Sequence, residues 1–132
     1  MLKQIRDLVQ QRLDFAFEST LSGKSYLPML RDFQRQGYAI HISYLWLDDV
    51  ELSVKRVASR VKAGGHSIPE DAIRRRFKRG LRNFIDEYGP AANTWTLFDN
   101  VDRRAKIVAF KKNDQVTIVN GETYRRVMEI LS

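Results

Sequence analysis

Cysteine is absent from all 132 residues, which excludes disulfide staples, thiolate metal sites and cysteine nucleophiles. Histidine occurs only twice, too sparsely for a histidine-rich metal centre. No apolar run approaches the roughly eighteen residues that a membrane helix needs, and the first residues lack the apolar stretch of a secretory leader. A soluble, cytoplasmic chain with no membrane contact is the expectation. Acidic residues are scarce in one stretch: from Lys55 to Arg82 there are ten basic and two acidic side chains, a net charge of +8, while the remainder sums to −1. The formal charge of +7 is therefore local, and a local excess points to an anionic partner.

With 43% hydrophobic residues, the chain is long enough to bury one core. Leu2, Ile5, Leu8, Val9 and Leu13 recur at helical spacing, and the apolar run Leu13, Phe15, Ala16, Phe17 reads as a strand. A second helix can begin at Ser22 or Gly23, tolerate Pro28 in its first turn and stop at Gly37. The nearly continuous apolar run from Tyr38 to Leu47 has the character of a central strand covered on both faces, with His41 expected as a hydrogen-bonded core residue. Asp48 or Asp49 can cap a helix with Val50, Val54, Val57 and Val61 on its buried stripe, ending at Gly64 and Gly65. Ser67 and Glu70 have capping-box spacing before a further helix whose apolar side is Ile73, Phe77, Leu81, Phe84 and Tyr88. Together these two helices predict a basic hairpin. Beyond Gly89 and Pro90, a strand is expected at 94–98, then two short strands at 105–110 and 116–119 around a polar turn at Asn113 and Asp114, and a last helix carrying Tyr124, Val127, Met128 and Leu131. The alternation predicts an α/β fold with a mostly parallel sheet flanked by helices.

Gly23, Lys24 and Ser25 imitate the close of the phosphate loop G-x-x-x-x-G-K-[ST], but the opening glycine is replaced by Glu18. A glutamate there does not readily adopt positive φ, and it would set a carboxylate against the phosphates.

Three segments together carry a family pattern. Phe15-Ala16-Phe17-Glu18-Ser19-Thr20-Leu21-Ser22-Gly23 is the first. The second runs through Arg56, Val57, Arg60, Val61, Gly64, Gly65, His66, Ile68, Pro69, Ile73, Arg75 and Arg76, and the third is Trp95, Phe98, Asp99 and Asn100. In these the sequence resembles the zeta toxin family of P-loop kinases, from about residue 13 to about residue 110. The resemblance implies a P-loop kinase-like sheet with a basic helical lid hairpin, one incomplete kinase domain over 1–132, the lid at 49–88 and C-terminal strands and helix at 94–132. The first core strand and the phosphate loop would lie upstream, so these residues alone are expected to be catalytically incomplete.

For activity, the resemblance implies ATP- and magnesium-dependent phosphorylation of a small acceptor, with a nucleotide sugar as the expected class. Carried over residue by residue, it assigns Glu18 and Thr20 to substrate binding, Arg60 and Arg76 to phosphate stabilisation, and Arg56, Arg75 and His66 to supporting contacts. Guanidinium forks match phosphate oxygens in geometry and charge. In such kinases the phosphate-loop strand lies between the strands equivalent to 38–47 and 94–98. Without it, either these two close on each other or a second copy covers the exposed edges as a homodimer. Two alternatives stand beside the kinase reading. One is a nucleic-acid-binding module, RNA in particular, that uses the basic hairpin; the other is a non-catalytic remnant that binds a nucleotide or a partner.

Overall fold

The computed structural model describes residues 2–17, 19, 21–46, 55, 58–59, 61–62, 64, 69–100 and 104–131. Helix α1 (Leu2–Gln10) buries Ile5 and Val9. Helix α2 (Tyr26–Arg35) buries Leu27, Leu30 and Phe33, holds Pro28 in its first turn, and ends before Gly37 at φ +98, a left-handed position natural to glycine. Strand β1 is His41–Trp46. Helix α3 (Glu70–Asn83) runs without a break into a π-helical turn, Phe84–Tyr88, and a last turn, Gly89–Ala91. Strands β2 (Thr94–Asp99), β3 (Lys106–Lys112) and β4 (Gln115–Ile118) come next, and helix α4 (Gly121–Leu131) closes the described chain.

The four strands form one sheet in the order β1-β2-β3-β4. Only β1 and β2 are parallel, with His41 opposite Thr94 and Trp46 opposite Asp99; the other two pairings are antiparallel. The sheet is thus mixed and not mostly parallel. The reason lies in the connections, because a parallel pair needs a long crossover, which α3 provides between β1 and β2. Between β3 and β4 the link is two residues, Asn113 and Asp114, at φ 54 and 59, the paired left-handed geometry of a tight hairpin turn, and it admits only antiparallel pairing. The strands expected to flank an absent phosphate-loop strand are hydrogen-bonded directly to each other.

One core lies between the sheet and the helices α3 and α4: Trp46, Leu81, Phe84, Trp95, Leu97, Val108, Ala109 and Val127. Phe84 stacks on Tyr44 at 4.7 Å and meets Trp95 edge-on at 5.3 Å. Burial raises the Tyr44 phenol far above its ordinary range, so it stays neutral inside this stack. A second core joins α1 and α2 to Tyr88, with Leu21 and Ile42 packing against both. On β1 the alternate residues Ile42, Tyr44 and Trp46 turn toward these cores, whereas His41, Ser43 and Leu45 are exposed. His41 is therefore a surface residue, and its Nδ1 lies 2.7 Å from the cross-strand Thr94 hydroxyl.

One other expectation changes. The run 13–17 does not form a strand: Phe15 packs edge-on against Phe33 and Tyr38, and the Tyr38 hydroxyl, instead of a neighbouring strand's amide, donates to the Leu13 carbonyl at 2.9 Å. Helix α3 starts at Glu70 with Pro69 at its N-cap, and the Ser67 of the expected capping box lies outside the described residues. Gly89 and Pro90 continue the helix, whose terminal carbonyls at Gly89, Pro90 and Ala92 are taken up by the Lys111 ammonium.

Candidate functional site

The described part of the Phe-x-Phe-Glu-x-Thr-Leu-Ser-Gly segment is an anchored bend between α1 and α2. Leu21 has φ +56, a left-handed conformation that is costly for a branched side chain and persists only where surroundings hold it. Those surroundings are present. The amide of Leu21 donates to Ser19 Oγ at 3.1 Å, and its carbonyl accepts from Asn83 Nδ2 at 2.7 Å. Further on, the Gly23 carbonyl accepts the Tyr88 hydroxyl at 2.7 Å, and the Lys24 ammonium pairs with Glu87 at 3.3 Å. Lys24 thus pairs at the surface with a carboxylate of the helix below.

Asn83 is the residue that sequence reasoning missed. It is 5% exposed on a helix whose other polar positions are mostly solvated. Its sequence signal is a polar residue within the apolar arc, directly before Phe84 and two after Leu81. Replacing it with alanine leaves the Leu21 carbonyl without its donor and the strained bend without its brace. Asn83→Ala is expected to cost about 1–3 kcal/mol in urea unfolding, the usual cost of orphaning a buried polar group. A change below about 0.5 kcal/mol, within the range of ordinary surface substitutions, would show that the bend holds itself.

Of the residues singled out from sequence, Glu18, Thr20, Arg56, Arg60 and His66 lie outside the described residues. Arg75 and Arg76 are both described and exposed on α3, yet they sit on different flanks. At about 100° per residue, Arg76 falls within about 20° of Asn83, two turns below it, on the flank that reaches the Leu21 bend. Arg75 turns roughly 100° away. It lines an open concavity of about 420 Å³ together with Arg74, Lys78, Arg79 and Arg82. Arg74 is paired with Glu70 at 2.7 Å, and Arg82 donates to the Leu131 carbonyl at 3.2 Å. Arg75, Arg76, Lys78 and Arg79 form no ion pair among the described residues.

The parallel strands β1 and β2 end side by side, with the Asn100 amide donating to the Trp46 carbonyl at 3.0 Å. The carboxyl ends of adjacent parallel strands are the customary place for a ligand crevice in open α/β sheets. Asp99 and Asn100 stand at that edge. Among the described residues no group of three or more His, Cys, Asp or Glu side chains converges on a common point.

Comparison with known proteins gives a concordant result. A family model described as Zeta toxin matches residues 1–115. A curated protein of Haemophilus influenzae, described as an uncharacterized protein, is 36% identical over 69 residues, which are 52% of this chain and 49% of that protein. The chain thus spans about half the length of that relative. No solved structure matches it significantly.

Proposed function

The chain belongs to the zeta toxin family, and on that premise we propose that it forms the phosphate-clasping and acceptor-orienting part of a P-loop kinase that phosphorylates a small acceptor at the expense of ATP. The expected acceptor is a nucleotide sugar. What supports this reading is the tie between α3 and the Leu21 bend: Asn83, on the helix that also carries Arg76, donates to the Leu21 carbonyl within the family motif. A glutamate and an arginine in such a site would suit a sugar hydroxyl and a phosphate respectively, since the first accepts hydrogen bonds and the second donates a planar fork. Arg60, Arg56 and His66 are proposed to complete the clasp.

Of the described residues, Arg76 on α3 is the group proposed for the phosphates of ATP or acceptor. Among the described residues no group of three or more His, Cys, Asp or Glu side chains converges, and no step is assigned to magnesium. No complete phosphate-loop motif occurs in these 132 residues, and preorganised charge of that kind supplies much of the acceleration in phosphoryl transfer. Binding is accordingly the property to test. Calorimetry with a panel of nucleoside diphosphate sugars should find a ligand whose affinity falls about tenfold or more in Arg76→Gln, because hydrogen bonds to charged groups are worth about 1.5–3 kcal/mol. Arg75→Gln should lose less. No binding across the panel, or equal losses in the two variants, would defeat the reading.

A further inference from the structure

The largest charged feature of the described surface is not explained by the clasp. Arg74, Arg75, Lys78, Arg79 and Arg82 project from one arc of about 140° on α3, over about 12 Å of helix axis, and Arg76 lies about 60° outside that arc, beyond Arg79. A helix surface this cationic repels itself, since each residue has a like charge three or four positions away. Only two members are partly relieved, Arg74 by Glu70 and Arg82 by the carbonyl end of α4. Arg75, Lys78 and Arg79, at the centre, have no acidic partner among the described residues.

The form of the concavity separates two kinds of anion. A site for a nucleotide or other small phosphorylated molecule has apolar or aromatic walls and few polar groups, so that the base or sugar is gripped as well as the phosphate. Among the described residues this one is lined by Arg74, Arg75, Lys78, Arg79 and Arg82, whose aliphatic stems form its floor and whose charged ends form its rim, with no aromatic side chain. One phosphate is saturated by one or two guanidinium forks, whereas this row offers cations along its whole length. Such a row suits an extended anion with regularly repeated charge.

We propose that this stripe of α3 binds the phosphodiester backbone of a nucleic acid, as an anion site separate from the Arg76 clasp. The chain would hold the backbone without reading the bases, because the described lining of the groove presents no stacking platform. Its role would be to concentrate the protein on nucleic acid through counterion release. This does not rest on the kinase reading.

The experiment is fluorescence anisotropy with the full chain and labelled oligonucleotides of about twenty units: single-stranded RNA, single-stranded DNA and a duplex of the same sequence. Three phosphate contacts predict a slope of log affinity against log salt of about −2 on a single strand, hence about a 20-fold loss between about 50 and 200 mM salt. Arg75→Gln/Lys78→Gln/Arg79→Gln changes three exposed positions to a good helix former, so the helix should survive, as circular dichroism would confirm. It should bind at least tenfold more weakly, whereas Arg76→Gln should stay within about twofold by the same contact count. Glu70→Gln, which releases Arg74, should tighten binding. An unchanged triple variant, an equal loss in Arg76→Gln, a flat salt dependence, or no gain in Glu70→Gln would each overturn the proposal. So would tighter binding to polyglutamate or to anionic phospholipid vesicles than to any oligonucleotide. The three oligonucleotides decide between RNA, DNA and duplex as the source of the backbone.

Discussion

Phe84→Ala is expected to remove about 3–5 kcal/mol of folding stability, the largest loss of any single truncation considered for this chain. Phe84 is fully buried at the point where α3 passes into the π-helical turn, between Tyr44 of β1 and Trp95 of β2. Its ring therefore joins the helix to both members of the parallel strand pair. Truncation removes the ring's transfer free energy and leaves a cavity whose walls, two large aromatics on separate strands, cannot collapse into the space without breaking register. A domain of this size typically holds about 5–15 kcal/mol in total, so the variant would stand close to its unfolding threshold. Urea unfolding followed by tryptophan fluorescence measures it, since Trp95 touches the deleted ring. A loss under about 1.5 kcal/mol, as in a volume-conserving swap, would mean that the core repacks and that the stack is not the joint described here.

Gly89→Ala gives the second large effect, and its sign is the informative part. Gly89 has ordinary helical dihedrals, φ −60 and ψ −53, so helix propensity alone predicts that alanine stabilises by about 1 kcal/mol. The π-helical turn reverses that expectation. Its wider hydrogen bonding brings the Phe84 carbonyl to the Gly89 amide, and a β-carbon at 89 would lie 2.7 Å from that backbone oxygen and 3.4 Å from Trp95 Nε1. Neither neighbour yields easily, one being backbone and the other a buried ring. We expect a loss of about 2 kcal/mol or more, in the range of overpacked sites. Thermal and urea unfolding should agree; stabilisation would show that the turn relaxes to an ordinary α-helix at no cost.

Both predictions concern a segment that periodicity reads only halfway. Ile73, Phe77, Leu81, Phe84 and Tyr88 were legible as one apolar face, and in the structure Leu81, Phe84 and Tyr88 are fully buried. The π-helical turn was not legible, because an extra residue in a helix leaves the apolar pattern nearly intact while rotating the residues beyond it. The same limit appears at the site. That Arg75 and Arg76 are adjacent is visible in the sequence, but their separation onto different flanks emerges only once the helix is fixed by Leu81 below and Asn83 beside the Leu21 bend. The basic cluster was legible as charge; the proposed division into a clasp and a stripe was not.

Local chemistry sufficed for much of the chain. The hairpin at Asn113 and Asp114, the helix stop at Gly37, the strand cores at 41–46 and 94–99 and the family pattern all come from residue types that favour particular backbone shapes or recur at particular spacings. Tertiary structure alone decided which strands pair, that residues 13–17 stay outside the sheet, and that a left-handed leucine is held by an asparagine 62 positions away. Those outcomes depend on contacts between distant parts of the chain. Their energies are set by burial and mutual satisfaction of polar groups, which no local window of sequence contains.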